Sequence, residues 1–376
     1  MEKKVLFTAS TYSHLVNFHL GYLKRFREEG WTVHAACGGK RMAIPCAEEV
    51  TDLPFEKSMR SPGNFRAAGM LREKVRAEGY GLICTHTSLA AFFTRLAVKG
   101  LRGRPAVANM VHGYLFDGET PWAKREALLG AERFLAGETD LVLTMNEWDY
   151  GTAVKYRLGR EVAKIPGVGV DFSRFDRVAP GSRERLRKEW GVREDAFVVI
   201  YAAEFSERKS QEVIIRAMER LPGEVVAVLA GEGALREKCR RQAERLGLGD
   251  RVLFPGQVED IPAWYAMADV AVTASRSEGL PFNVMEAMYA GLAVAASDVK
   301  GHRDLIEDGR TGLLYPYGDA EACAERIKGL MESEALRREL ARNAREEAEG
   351  YGLERVLPAV WARYEELAAS PAFARG

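Results

Sequence analysis

Two glutamates, Glu278 and Glu286, stand eight residues apart in the stretch SEGLPFNVMEAMYAG, residues 277–291. Apolar runs flank it, Val270–Ala274 before and Leu292–Ala296 after. A buried connection between two strands has no structural need for two carboxylates. Each carboxylate can accept from two neighbouring hydroxyls with charge-assisted strength. The pair therefore suits sugar diols, one on a ribose and one on a hexose. Gly279 lets backbone approach a ligand closely. Pro281 is expected in the first turn of a helix, where its missing N–H costs nothing, and Gly291 just past the end. The unpaired N–H groups at such a helix start suit a phosphate.

Other chemistry follows the ends of other apolar runs. After Phe197–Ala202 comes AEFSERKSQ, in which Arg208 and Lys209 precede a helix starting near Ser210. Cations there could meet a pyrophosphate. After Val225–Ala230 comes Gly-Glu-Gly, residues 231–233, a pattern that by itself specifies nothing. His112 closes a strand and is followed by Gly113; His14 and His19 lie at and inside the first helix, after Ser10, Thr11 and Ser13. No G-x-G-x-x-G follows the first strand, which argues against a nicotinamide enzyme. P-loop and H-E-x-x-H patterns are missing too. The five cysteines are scattered without a C-x-x-C pair. No metal ligand set or disulfide framework is expected, and the cysteine usage fits a reducing cytoplasm.

These residues need a scaffold, and the periodicity supplies one. Short apolar runs alternate with helical stretches, which implies parallel sheets covered on both faces. In the first half the strands are read at Val5–Ala9, Thr32–Cys37, Leu82–His86, Ala106–His112 and Leu141–Met145. Helices are read at His14–Glu29, Phe65–Glu78, Ser88–Lys99 and Pro121–Leu135. The stretch IPGVGVDFSRFDRVAPGS, residues 165–182, has two prolines, three glycines and no helical period, and reads as a connection. Strands resume at Phe197–Ala202, Val225–Ala230, Val252–Phe254, Val270–Ala274, Leu292–Ala296 and Leu313–Tyr315. The expectation is two doubly wound α/β domains, residues 1–165 and 166–348. A C-terminal helix within 349–376 is expected to cross back to the first. Ligands of open parallel sheets sit beyond the carboxyl ends of the strands, here in a cleft between two domains.

The 376 residues carry 54 basic and 54 acidic side chains, so nothing global points to nucleic acid. The balance hides an asymmetry. Lys57 to Arg104 holds ten basic residues and two acidic ones. Two readings stay open: solvated helix faces, or a patch that meets anionic lipid or a diphosphate-bearing substrate. No apolar stretch is long enough to span a bilayer, and the N-terminal apolar run is too short for a signal-peptide core.

The stretch 277–315, with Glu278 and Glu286 as its Glu-x7-Glu pair, resembles the signature region of glycosyltransferase family 4, retaining enzymes of the GT-B fold. The resemblance covers nearly the whole chain, including HLVNFHLGYLKRFREEGWTVHAACGG, VVIYAAEFSERKSQEVIIRAM, VLAGEG and RVLFPGQVEDIPAWYAMADVAVTASRSEGLP. SHLVNFHL, TMNEWDY and GHRDL look closer to the branch that builds exopolysaccharide, capsule and lipid-linked glycans. The resemblance implies that Glu286 holds the ribose hydroxyls of a nucleotide and Glu278 the hydroxyls of the donor hexose. Gly279, Leu280, Phe282 and Asn283 would line the sugar and diphosphate. Lys209 would neutralise the departing diphosphate, His112 would lie near the transferred sugar, and the backbone near Val258 would meet the base. Ser10, His14 and His19 would lie on the acceptor side. The family usually has a basic residue five before the lysine; here it is Glu204, and Arg208 is placed to supply the missing cation. The first loop lacks the family's frequent double glycine.

A retaining hexosyltransferase is therefore expected, moving a hexose or N-acetylhexosamine from a nucleotide sugar, UDP by association, to a glycan acceptor, lipid-linked by preference. It would need no metal and no cofactor, and would be cytoplasmic, with peripheral contact to an anionic inner membrane face. A 2-epimerase-like enzyme on the same plan, or a non-catalytic sugar-nucleotide-binding protein, are the alternatives.

Overall fold

The computed structural model describes residues 3–370. It divides into two compact units. One runs up to Gly169 and resumes from Leu353; the other is Val170–Gly352. The divisions fall four residues beyond those read from the sequence, 165/166 and 348/349. The last six residues of the expected C-terminal segment lie outside the described residues.

Among the described residues the first unit is built on seven strands: β1 (Lys4–Ala9), β2 (Thr32–Cys37), β3 (Glu49–Asp52), β4 (Leu82–His86), β5 (Ala106–Val111), β6 (Leu141–Thr144) and β7 (Glu161–Lys164). They pair in parallel in the order β3-β2-β1-β4-β5-β6-β7. The second has six: β8 (Phe197–Ala202), β9 (Val225–Ala230), β10 (Val252–Gly256), β11 (Val270–Thr273), β12 (Ala293–Ser297) and β13 (Leu313–Tyr315). These are also parallel, ordered β10-β9-β8-β11-β12-β13. Each order reverses once, between β1 and β4 and between β8 and β11. At a reversal the connecting loops part to either side, which opens a crevice at the carboxyl ends of the strands.

The inner strands read as apolar runs because both faces are covered. On β8, Phe197, Val199 and Tyr201 pack with Val213, Ile214 and Met218 of the helix Gln211–Met218, while Val198 and Ile200 on the other face are buried as well. Strands β3 and β7 escaped the sequence reading. They are EVTD and EVAK, short and polar, at the two edges of the sheet. An edge strand has one ladder partner and an open side, and these two carry no apolar run to read, unlike the edge strands β10 and β13 of the second sheet.

The first helix, read as His14–Glu29, is two: Tyr12–Phe18 and Leu20–Glu28. The break is His19, at φ −128° and ψ 0°, whose carbonyl accepts from the N–H groups of Tyr22 and Leu23. His19 is fully buried. Its helical neighbours carry no breaker, so the apolar period runs straight through it.

The last helix, Leu353–Ala369, buries Val356, Val360, Trp361, Tyr364 and Leu367, a spacing that lines one helical face. It packs in the first unit: the Trp361 and Phe26 rings meet edge to face with centroids 4.7 Å apart, and Tyr364 lies 5.5 Å from the same ring. Trp361→Ala should therefore lower stability by about 3–5 kcal/mol in urea denaturation. Glu365→Ala, on the exposed face, should stay within about 0.5 kcal/mol of wild type. Equal effects would mean that this helix does not belong to the core of the first unit.

Candidate functional site

The loops after β8 and β11, the strands that flank the reversal in the second unit, bring Lys209 and Glu278 together. Lys209 Nζ lies 2.5 Å from Glu278 Oε1, and Arg208 Nη1 lies 2.6 Å from Oε2. One carboxylate thus takes a different cation on each oxygen. Glu278 and Lys209 are buried, while the Arg208 side chain is half-exposed. Burial alone would push the Glu278 carboxyl up. Lys209, Arg208 and, more weakly, His302 overcome it and hold the group down at about 2. Burial lowers the Lys209 ammonium; Glu278 pulls it back up and Arg208 pushes it down.

The cluster is held by hydrogen bonds that the sequence reading did not find. The Arg276 N–H donates to the Arg208 carbonyl, tying the two loops directly. The Tyr201 hydroxyl, at the end of β8, donates to the Lys209 carbonyl (3.1 Å) and meets the Ser275 hydroxyl (2.9 Å). The Ser297 hydroxyl, at the end of β12, donates to the Ser275 carbonyl. Ser210 follows Lys209 with φ +49°, a left-handed conformation that is strained for a non-glycine residue. Gly301 presses against the back of the motif. A Cβ there would lie 2.7 Å from the Gly279 carbonyl oxygen.

Glu286 lies in the helix Phe282–Tyr289 and has its own cation, Arg174. Arg174 sits in a 3-10 turn, Phe172–Arg174, within the stretch read as a structureless connection. That stretch is anchored: Phe172 stacks on Tyr289 with centroids 4.0 Å apart, the Tyr289 hydroxyl donates to Asp176, and Val170 bridges to Gly352. Arg174 is half-exposed and Glu286 is buried. Here burial prevails, and Arg174 only moderates it, so the Glu286 carboxyl is pushed up to about 7. Two glutamates on one short segment thus sit on opposite sides of the ordinary carboxylate value.

The other residues singled out in the sequence fall as follows. Gly279 and Leu280 are buried; Phe282 and Asn283 are half-buried at the helix start, and the Asn283 carbonyl accepts from the Tyr265 hydroxyl. Pro281 is the N-cap rather than a member of the first turn. Val258 is half-buried in the loop after β10. Glu204 is exposed; its charge favours the protonated forms of Arg208 and Lys209. Gly233 is conformational: at φ +149° its Cα approaches the loop after β8 so closely that a Cβ would lie 2.4 Å from the Phe205 carbonyl oxygen. Ser10, Thr11 and Ser13 work locally. The Ser10 hydroxyl meets Thr87, Thr11 caps the first helix, and Ser13 donates to Thr11. His14, His19 and His112 meet in the first unit, joined by His86.

Half of the basic segment is engaged within the fold. Arg72 donates to the carbonyls of Ala97 and Lys99. Lys74 pairs with Glu49, Arg95 with Glu132, Lys99 with Glu138, and Arg104 with Glu138 and Asp140. Lys57, Arg60, Arg66, Arg76 and Arg102 are exposed.

Comparison with known proteins decides the family. Residues 19–165 match the glycosyl transferase 4-like domain, and residues 182–347 match glycosyl transferases group 1. The putative glycosyltransferase EpsD of Bacillus subtilis is 35% identical over 353 residues, covering 93% of this chain and 92% of that protein. The chain belongs to glycosyltransferase family 4. A D-inositol 3-phosphate glycosyltransferase of Kribbella flavida is 30% identical over 80% of this chain and 74% of its own length. Anabaena HepE, solved in complex with UDP and glucose, superposes with a TM-score of 0.82 over 96% of this chain and 99% of its own, at 21% identity.

Family 4 membership makes the chain a glycosyltransferase with the GT-B fold. The residues that sequence reasoning missed, Arg174, Tyr201, Ser275 and His86, carry no local motif.

The raised Glu286 has a pH signature. The unfolded chain releases this proton near 4.5, the folded chain near 7. The group therefore contributes stability in acid that is lost as pH rises from about 4.5 to about 7. Glu286→Gln removes that dependence. Relative to wild type, the variant should gain at least about 1 kcal/mol between pH 5 and pH 7.5 in urea denaturation. An unchanged difference would show that Glu286 ionises in the ordinary range.

Proposed function

We propose that this glycosyltransferase moves a hexose or N-acetylhexosamine, with retention, from a UDP-sugar to a lipid-linked glycan acceptor. The observation that carries the reading is the Lys209–Glu278–Arg208 cluster at the order reversal of the second sheet. It holds a buried ammonium and a guanidinium beside the start of the helix Phe282–Tyr289. A departing nucleoside diphosphate needs that combination of fixed cations and a helix N-terminus. Glu278, kept ionised, accepts hexose hydroxyls. Glu286, poised near neutrality, holds the ribose diol. His112 faces the transferred sugar, and Ser10, His14 and His19 border the acceptor. The UDP and glucose in HepE support the donor class.

No metal is needed at the diphosphate in this reading, because Lys209 and Arg208 supply its charge. Transfer should proceed at full rate without Mg²⁺ or Mn²⁺. Lys209→Ala should lower kcat by about 10²–10³-fold, the range for losing one preorganised electrostatic group. Product analysis with radiolabelled UDP-sugars measures both. Restoration of a silent enzyme by Mg²⁺ or Mn²⁺, or near wild-type turnover of Lys209→Ala, would overturn the assignment.

The lipid-linked acceptor draws support from the surface of the first unit. Trp122 is 71% exposed and Leu115 58%, and Lys124 is exposed on the same helix as Trp122. Phe65 is exposed between Arg60 and Arg66. Aromatic and basic groups together suit a headgroup layer. Cosedimentation with vesicles containing anionic lipid should be strong at low salt and weaken as salt rises. It should fall several-fold in Trp122→Ala/Lys124→Ala. Equal recovery with neutral vesicles would remove the electrostatic part of this reading.

A further inference from the structure

Four of the chain's six histidines converge in the first unit. His86 closes β4, His112 follows β5, and His14 and His19 lie in and at the break of the helix that follows β1. They meet where the order of the first sheet reverses. His14 Nε2 lies 3.2 Å from His112 Nε2 and 3.3 Å from His19 Nε2, and His112 Nε2 lies 3.4 Å from His86 Nδ1. One ring nitrogen of each lies within 4.8 Å of one from each of the others. His19 and His86 are fully buried and their rings overlap, with centroids 3.7 Å apart; His14 and His112 are half-buried.

Hydrogen bonding alone does not satisfy this arrangement. An imidazole nitrogen has one in-plane site, either an N–H or a lone pair. The three contacts form a chain, His19–His14–His112–His86, through one nitrogen of each ring. Such a chain can place a shared hydrogen in at most two of its three contacts, and then only in the outer two. The middle contact, between His14 and His112, is the shortest and is left without one. Extra protons do not relieve it. Burial disfavours the charged form of all four imidazoles, and neighbouring rings add to this at His19, His86 and His112. The neutral imidazole that burial favours is the form that ligates metals.

A cation accepts all four lone pairs at once. Four nitrogens placed tetrahedrally at roughly 2.0–2.1 Å from an ion stand roughly 3.3 Å from one another. Three of the six edges, at 3.2, 3.3 and 3.4 Å, match that spacing, and the four ligand atoms all lie within 4.8 Å of one another. We propose that His14, His19, His86 and His112 bind one divalent transition-metal ion, with Zn²⁺ the favoured occupant. Imidazole suits Zn²⁺, Cu²⁺ and Ni²⁺, whereas Mg²⁺, Ca²⁺ and Mn²⁺ take oxygen ligands, and this cluster offers none. The site is therefore distinct in chemistry from a diphosphate-bound Mg²⁺ or Mn²⁺.

The geometry also bounds the role. Four protein ligands close the coordination shell, which is the structural rather than the hydrolytic arrangement. The ion ties the broken helix at His19 to the ends of β4 and β5, and so stiffens the histidine side of the first unit. With Nε2 of His112 on the metal, Nδ1 remains to face a sugar. The outer shell is incomplete: His19 Nδ1 and His86 Nε2 are buried without a hydrogen-bond partner among the described residues. Partners of that kind are each worth about 10–100-fold in affinity. Binding is therefore weaker than at a fully supported zinc site.

The second histidine cluster provides a control. His34, Glu49 and Glu78 also lie within ligand distance of one another, but Lys74 pairs with Glu49 and Lys4 with Glu78. The experiment uses the full chain, stripped with chelator, dialysed and titrated with Zn²⁺ and Co²⁺. Wild type should take up one ion per chain, show the intense visible bands of tetrahedral Co²⁺, and melt at higher temperature with Zn²⁺. His86→Asn should lose the Co²⁺ bands and weaken Zn²⁺ binding at least tenfold; His34→Asn should change neither. If His86→Asn fails to fold, the wild-type stoichiometry and Co²⁺ spectrum decide. Uptake well below one ion without the tetrahedral bands, or bands lost in His34→Asn and kept in His86→Asn, overturns the proposal. None of these readouts depends on transfer activity, so their failure leaves the glycosyltransferase reading standing.

Discussion

The second unit is organised around one constraint, the burial of two carboxylates at the end of one strand. A buried carboxylate without a cation is costly enough to protonate instead. Glu278 meets that constraint with two cations and stays ionised; Glu286 meets it with one half-exposed arginine and titrates near neutrality. The difference is one of partners rather than depth, since both groups are buried. Much of the surrounding architecture serves those partners. Tyr201, Ser275 and Ser297 hold the loop that carries Lys209, and the stack of Phe172 on Tyr289 holds the turn that carries Arg174.

Sheet order turns this local chemistry into a site. Lys209 and Glu278 are separated by 69 residues, yet their loops leave adjacent parallel strands, β8 and β11. The first unit repeats the device. Its reversal lies between β1 and β4, and the four histidines gather there from the ends of β4 and β5 and the helix after β1. In one unit the reversal collects charges, in the other neutral imidazoles. The same topology thus accommodates two kinds of polar burial.

The parts of this arrangement that were legible in the sequence are those with a local signature. Inner strands show as apolar runs because both faces are covered; all nine of them, with the edge strands β10 and β13, were read within a residue or two of their observed ends. The Glu-x7-Glu spacing and the Arg208-Lys209 pair stand out against apolar flanks. The edge strands β3 and β7 have no such contrast, and the helix break at His19 has no glycine or proline to mark it. The basic run from Lys57 to Arg104 looked like a surface patch because its acidic partners Glu49, Glu132, Glu138 and Asp140 lie outside it in sequence.

By itself the sequence determined the fold class, the family and the residue types at the site, since each rests on periodicity, spacing or motif. Only the tertiary structure decided which charges neutralise one another. Arg174 reaches Glu286 across 112 residues from a stretch with no helical or strand period, and four isolated histidines become one cluster. The reason is physical. Chain spacing governs contacts within a helix turn or along a strand, while pairing between loops is set by strand order and by the cost of leaving a buried polar group alone.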